Sequence, residues 1–214
     1  MIDIHVPGEA PLGWREIVTH LAIITVGLFI ALSLEGCVEW MHHRHLVHEA
    51  RENIRSEMED NQKTLKDAVV QIHTEQAQIK SDIASLTLLR NNPDANISVT
   101  LRFALSDVAD ASWNTARETG ALAFMGYPEV KHYSEVYQMQ RLYSDETARV
   151  QSAYTGAFPF LNSFDVDKKS DRQIQREDIN TALQKVLAVQ SELLVYENIA
   201  SALQQQYNGA LGKP

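Results

Sequence analysis

Residues 40 to 90 read WMHHRHLVHEARENIRSEMEDNQKTLKDAVVQIHTEQAQIKSDIASLTLLR, and no proline occurs anywhere from residue 12 to 92. Proline removes a backbone donor and clashes with the preceding turn, so its absence over this tract permits one long helix. Apolar side chains recur at Val47, Ile54, Met58, Leu65, Val69, Ile72, Ile79, Ile83, Leu86 and Leu89. The steps are threes, fours and sevens, the spacing of a buried helical stripe. Met58, Asn61, Leu65 and Val69 insert an extra four-residue step, which relaxes a left-handed supercoil locally. Asn61 on that stripe either fixes register or faces water. Fifty residues of helix reach about 75 Å.

Toward the N-terminus the helix runs into IVTHLAIITVGLFIALSL, residues 17 to 34, with no Asp, Glu, Lys or Arg. Eighteen residues span about 27 Å, close to the hydrocarbon thickness of a bilayer. Trp14 and Trp40 flank the run, where amphipathic indoles sit at the two membrane interfaces. The reading is a tail over 1–16 and one transmembrane helix over 17–36. A cleaved signal peptide wants a basic start and a small-x-small site, whereas Asp3, Glu9 and Glu16 here outnumber Arg15. Leu34-Glu35-Gly36-Cys37 has the outline of a lipoprotein signal, but Glu35 is wrong for it. Length and the paired tryptophans disfavour a buried core helix. His20, Gly27 and Ala31 fall on one helical face, with Glu35 near it. A small-x-x-x-small pair admits a second helix closely, and an ionisable residue at depth faces protein. That face is expected to pack against another membrane protein or a second copy. The count of flanking basic residues is nearly level, so the layout of a short tail before a large domain places that domain outside the cytoplasm.

Toward the C-terminus, Asn91-Asn92-Pro93-Asp94 ends the long helix. Helices are expected over about 98–124, 128–154 and 171–208. The first carries Leu101, Leu105, Val108, Trp113 and Leu122, with Ser112 as the start of a separate short piece and a kink at Thr119-Gly120. The second has a stripe of Tyr133, Tyr137, Gln140, Tyr143, Thr147, Val150 and Tyr154, which reads as a half-wet seam. Residues 156–170 form the longest loop, with Phe158, Phe160 and Phe164 folding back over the helices. Gly209 is the natural stop of the last helix, before a tail over 209–214. The fold class expected is all-α: a transmembrane helix continuing into an antiparallel four-helix bundle over 37–208, with coiled-coil-like packing.

Charge and composition narrow the function classes. The net charge of −9 divides into −4 over residues 1–40 and −5 over the rest. An acidic chain without a basic stripe is a poor nucleic-acid binder. The mean hydropathy of −0.25 combines one strongly apolar span with a polar helical domain. The single cysteine, Cys37, excludes internal disulfides and cysteine-based zinc clusters.

Four of the eight histidines lie between His42 and His48. His42 and His45 are three apart, and His45 and Glu49 four apart, so His42, His45, His48 and Glu49 are the candidate metal ligands. The alternative is a collar of histidines among lipid headgroups, titrating near neutral pH. Glu52 stands where a zincin pattern needs its second histidine. Asp165-x-Asp167-x-x-x-Asp171 lacks the glycine and glutamate of a calcium loop. No phosphate loop, nucleophile elbow or kinase signature occurs, so neither catalytic residues nor a cofactor are expected.

Trp14-Arg15-Glu16-Ile17, Ile24-Thr25-Val26-Gly27-Leu28-Phe29-Ile30-Ala31-Leu32 and Trp113-Asn114-Thr115-Ala116-Arg117-Glu118-Thr119-Gly120-Ala121-Leu122 resemble stretches of a group of uncharacterised bacterial single-span membrane proteins. Those proteins have an anchor of the "VGILIAL" kind and a helical extramembrane region. The resemblance implies a bacterial envelope location and carries no catalytic residues. The functional expectation is a non-enzymatic interaction protein of the inner membrane, such as an accessory subunit. A metal or pH sensor built on His42–His48 and a membrane-tethered enzyme are the alternatives.

Overall fold

A single helix, α1, runs from Trp14 to Asn91 in the computed structural model, which describes residues 13–161, 164 and 176–212. The other helices are α2 (Ala111–Glu118), α3 (Tyr127–Leu161) and α4 (Arg176–Ala210), with a 3-10 turn at Ala121–Phe124. The described residues contain no strand, so the chain is all-α. It divides into two compact units, Met1–His48 and Glu49–Pro214, and α1 contributes to both. The N-terminal tail before residue 13, the aspartates 165–171 and the expected start of the last helix at 171 lie outside the described residues.

The second unit departs from the expected bundle in its second segment. Residues 95–110 are not helical. They run back along α1 as a strap held by side chains of that helix. The Thr100 N–H donates to Asp82 Oδ1 at 3.2 Å, and the Ala104 N–H donates to Glu75 Oε1 at 2.7 Å. Asn61 clamps Ala109 from both sides: its Nδ2 donates to the Ala109 carbonyl at 2.7 Å, and its Oδ1 accepts the Ala109 N–H at 2.9 Å. Asp82 to Asn61 spans about 31 Å of helix, and Thr100 to Ala109 covers the same distance in nine steps of about 3.4 Å, so the strap is nearly fully extended.

The reason is reach. The Ser112 N–H, in the first turn of α2, donates to Glu57 Oε2 at 2.8 Å. From Asn91 to the level of Glu57 is about 50 Å along α1, whereas the chain from Asn91 to Ser112 would cover only about 30 Å as helix. An extended segment closes the distance and a helix cannot. The expected helix over 98–124 is thereby corrected to a strap, the eight-residue α2 and the 3-10 turn. Ser112 does lie at the start of a short helix. Gly120, at φ +78°, ends α2 in the left-handed region that glycine adopts without strain.

Three contacts set the direction of α3. Arg51 pairs with Glu129, Glu57 with Tyr137 and Glu75 with Tyr154, so α3 runs parallel to α1. Gln62 meets Asn208 and Gln76 meets Glu197, so α4 runs antiparallel to both. Three long helices, the short α2 and an extended strap therefore pack together, with α3 parallel to α1 and not alternating in direction as expected. Most of the tyrosine stripe is dry: Tyr137, Tyr143 and Tyr154 are fully buried, as are Tyr196 and Tyr207 of α4, while Tyr133 and Thr147 are half-buried. Trp113 stacks on Tyr137, Phe103 on Tyr154 and Tyr143 on Tyr196, with ring centroids 5.2, 4.6 and 4.9 Å apart.

The helix ends also differ from expectation. α3 continues through Pro159 to Leu161, so residues 156–161 belong to a helix and not to a loop. Proline near a C-terminus costs one backbone bond and leaves the preceding turns intact. Phe164 is buried, while Phe158 and Phe160 remain exposed. Gly209 lies inside α4, and Gly212, at φ +65°, follows its end instead.

Replacing Asn61 by Ala removes both of its bonds to Ala109 and strands the Ala109 N–H, while Gln140 still serves the carbonyl. Urea unfolding of the full chain should show a loss of about 1–3 kcal/mol, and Asn61→Asp, which keeps the acceptor for that N–H, should fall between this variant and the wild type.

Candidate functional site

The first unit offers an apolar surface. Every residue from Trp14 to Trp40 is exposed, and an 18-residue window of α1 has a mean hydropathy of 2.3 with none of it buried. By length and composition α1 can cross a membrane. Its polar side chains are turned onto their own backbone. The hydroxyls of Thr19, Thr25 and Ser33 donate to the carbonyls of Arg15, Leu21 and Phe29, at 2.9, 2.8 and 2.7 Å. His20 Nδ1 lies 2.8 Å from the Glu16 carbonyl oxygen. Backbone bonding of this kind hides polar atoms where no water is present to solvate them.

His20, Gly27, Ala31 and Glu35 are all exposed, and a Cβ built on Gly27 meets nothing within 4 Å. At the far end of the apolar run the Arg44 guanidinium lies 5.3 Å from the ring centroid of Trp40. That contact keeps a cation against the indole face. His42, His45, His48 and Glu49 are exposed, and the His42 and His43 rings lie 6.1 Å apart. Among the described residues no group of three or more His, Cys, Asp or Glu side chains is arranged to hold a metal ion.

The second unit contains a buried polar system that the stripe of apolar residues did not reveal. Asn61, Glu75 and Asp82 are buried on α1, and Ala68 is buried with them. These four positions are seven residues apart, one heptad position repeated, and this spacing was the available signal. Their work is to satisfy the strap. Glu75 accepts from the Ala104 N–H and from the Tyr154 hydroxyl, the latter at 3.3 Å. The Ser106 carbonyl accepts from Tyr143 at 3.0 Å and from Tyr196 at 3.3 Å, and the Tyr196 hydroxyl also donates to Tyr143 at 2.6 Å in an alternative arrangement of its proton. Gln140 Nε2 adds a second bond to the Ala109 carbonyl at 2.9 Å.

Burial sets the electrostatics here. Desolvation pushes the Glu75 and Asp82 carboxyls above their ordinary values, against the opposing pull of their hydrogen bonds. Burial likewise raises Tyr137, Tyr143, Tyr154, Tyr196 and Tyr207, so their hydroxyls stay protonated. Glu146 is raised by burial and by its neighbour Glu192, with Arg149 at 3.1 Å offsetting part of the effect. At the surface the order reverses. Arg51 grips Glu129 with two bonds of 2.6 and 2.7 Å and holds that carboxyl below its ordinary value.

Chemically, Glu75, Asp82, Tyr143, Tyr154 and Tyr196 bond to one another or to the strap backbone. A hollow lined by Glu135, Met139, Arg141, Leu142, Asp145 and Gln206, and another by Asn53, Glu57, Asn61, Ala109 and Ser112, both open broadly to solvent. Comparison with family models, with curated proteins and with solved structures finds no match to this chain.

The raised carboxyls have a pH signature. A group whose native value lies above its unfolded value binds more protons when folded, so stability rises as pH falls through the native value toward the ordinary range near about 4. Glu75→Gln keeps an acceptor for Ala104 but removes the charge. The variant should be as stable as the wild type or more so at pH 7, and its advantage should shrink as pH is lowered toward about 5, as read from urea midpoints across the series.

Proposed function

We propose that this chain is a membrane-anchored interaction protein, held in a bacterial inner membrane by residues 17–36, with Glu49–Pro214 outside the cytoplasm. It acts by contact, as an accessory subunit or as a self-associating one, and not by catalysis. The observation that carries this reading is the first unit's surface. An uninterrupted apolar helix face, exposed on all sides, has its hydroxyls bonded internally. In water such a surface has a large hydration cost, and in lipid it has almost none. His20, Gly27, Ala31 and Glu35 supply a face for another helix within the bilayer.

The second unit supports the non-catalytic part. Glu75, Asp82, Tyr143 and Tyr196 each bond a backbone group of the strap. A catalytic group instead faces a space that a substrate enters. Trp14 and Trp40 bound the span as interface residues, with Arg44 stacked on Trp40.

Alkaline carbonate extraction of membranes from cells expressing the full chain tests this. The wild type should remain in the pellet. Ile24→Glu combined with Leu28→Glu places two carboxylates in the span, at a cost of several kcal/mol in lipid, and should move the chain to the supernatant. Carbonate extraction of the wild type itself would overturn the reading.

A further inference from the structure

α1 has a second stripe, on the side away from its buried one. Val70, Thr74, Ala77, Ser81, Ala84 and Leu88 are all exposed and all uncharged, in steps of four and three. α4 has a matching stripe: Leu187, Ser191, Leu194, Asn198 and Ser201, again exposed, uncharged and in steps of four and three. Val70 and Leu88 are 67% and 53% exposed, and Leu187 and Leu194 46% and 50%. Three polar members of the stripes bond to their own helix backbone. Thr74 donates to the Val70 carbonyl at 3.1 Å, Ser191 to that of Leu187 at 3.1 Å and Asn198 to that of Leu194 at 2.9 Å. This is the same device that hides hydroxyls along the apolar run of the first unit.

The two stripes are level with each other. Glu197 meets His73 and Gln76, and Asn208 meets Gln62. Antiparallel helices rise equally per residue, so Ala77 lies level with Leu194, Ala84 with Leu187 and Val70 with Ser201. At 100° per residue both stripes lie about 90° beyond the α1–α4 contact, on the side away from the core. The first two layers set a small residue on α1 beside a large one on α4, and the third reverses the order.

We propose that this face is the contact between two copies of the chain, related by a two-fold axis parallel to α1. That axis lays α4 of one copy over α1 of the other at the same level. Leu194 then meets Ala77 of the second copy and Leu187 meets Ala84, with both pairs formed twice, as an isologous interface requires. The same axis keeps the two copies of α1 parallel over the stretch that carries the stripe. Between the stripes stand His73, Lys80 and Glu197, so facing copies bring no net like charge together. The patch measures about 27 by 20 Å, roughly 550 Å² per copy, short of the ~800 Å² of a standard partner surface. Confinement in a common membrane supplies the missing affinity as effective concentration. The inference therefore rests on the anchored reading given above.

The test is disulfide trapping in native membranes, with Cys37→Ser as background. Differently tagged chains carrying Ala77→Cys and Leu194→Cys are co-expressed and oxidised. A disulfide-linked dimer of the two tags is expected, and none when Arg141→Cys on α3 replaces Ala77→Cys. Adding Leu187→Glu to both chains should lower the yield at least tenfold with an unchanged helical circular dichroism spectrum. Absence of the 77–194 link in membranes that hold both chains overturns the proposal, as does a link from the Leu194→Cys chain to a different polypeptide. Retention of the chains after carbonate washing separates either result from failure of the anchored reading, in which no chain is retained.

Discussion

The backbone of residues 95–110 lies between helices without a helix or sheet of its own, so its buried donors and acceptors depend on side chains. Asn61, Glu75 and Asp82 supply those partners from α1, Glu57 caps the first turn of α2, and Gln140, Tyr143 and Tyr196 close the other side. An unpaired buried backbone group costs about 1–3 kcal/mol, so a strap lacking these bonds would be unstable in place. The arrangement of the long helices follows from it. By returning along α1, the strap lets α3 start again at the level of Arg51 and run parallel to α1, with α4 antiparallel beside both.

This requirement explains the buried carboxylates. Glu75 and Asp82 sit on the inner stripe at a desolvation cost, which raises both above their ordinary values. A wholly apolar stripe would pack more favourably against helices, but it would leave the Thr100 and Ala104 donors unmet. The tyrosines serve the same geometry. Each offers a broad ring for packing and a hydroxyl at its end, so Tyr143 and Tyr196 stack and also reach the Ser106 carbonyl.

Much of α1 was legible in the sequence because one signal dominated it. The absence of proline, the apolar spacing from Val47 to Leu89 and the charge-free run over 17–34 all agree with a helix from Trp14 to Asn91. Levels of agreement fell where local preference and reach competed. Residues 98–110 contain Leu101, Leu105 and Val108 at helical spacing, yet the distance back to Glu57 excludes a helix. The stripe of apolar residues also passed over Glu75 and Asp82, since a search for hydrophobic periodicity skips polar residues at buried positions. Their seven-residue spacing from Asn61 was the trace they left.

The sequence by itself determined where helices can form and which segment is apolar enough to leave water, because both depend on neighbours within a few turns. It also placed the turn at Asn91–Asp94 and the start of the short helix near Ser112. Tertiary structure decided that the second segment is extended, that Asn61, Glu75 and Asp82 are its acceptors, and that Tyr137, Tyr143, Tyr154, Tyr196 and Tyr207 are dry. It also decided that two uncharged stripes, one on α1 and one on α4, stand level on one face. Those outcomes depend on distances between residues far apart in the chain, which no local pattern encodes.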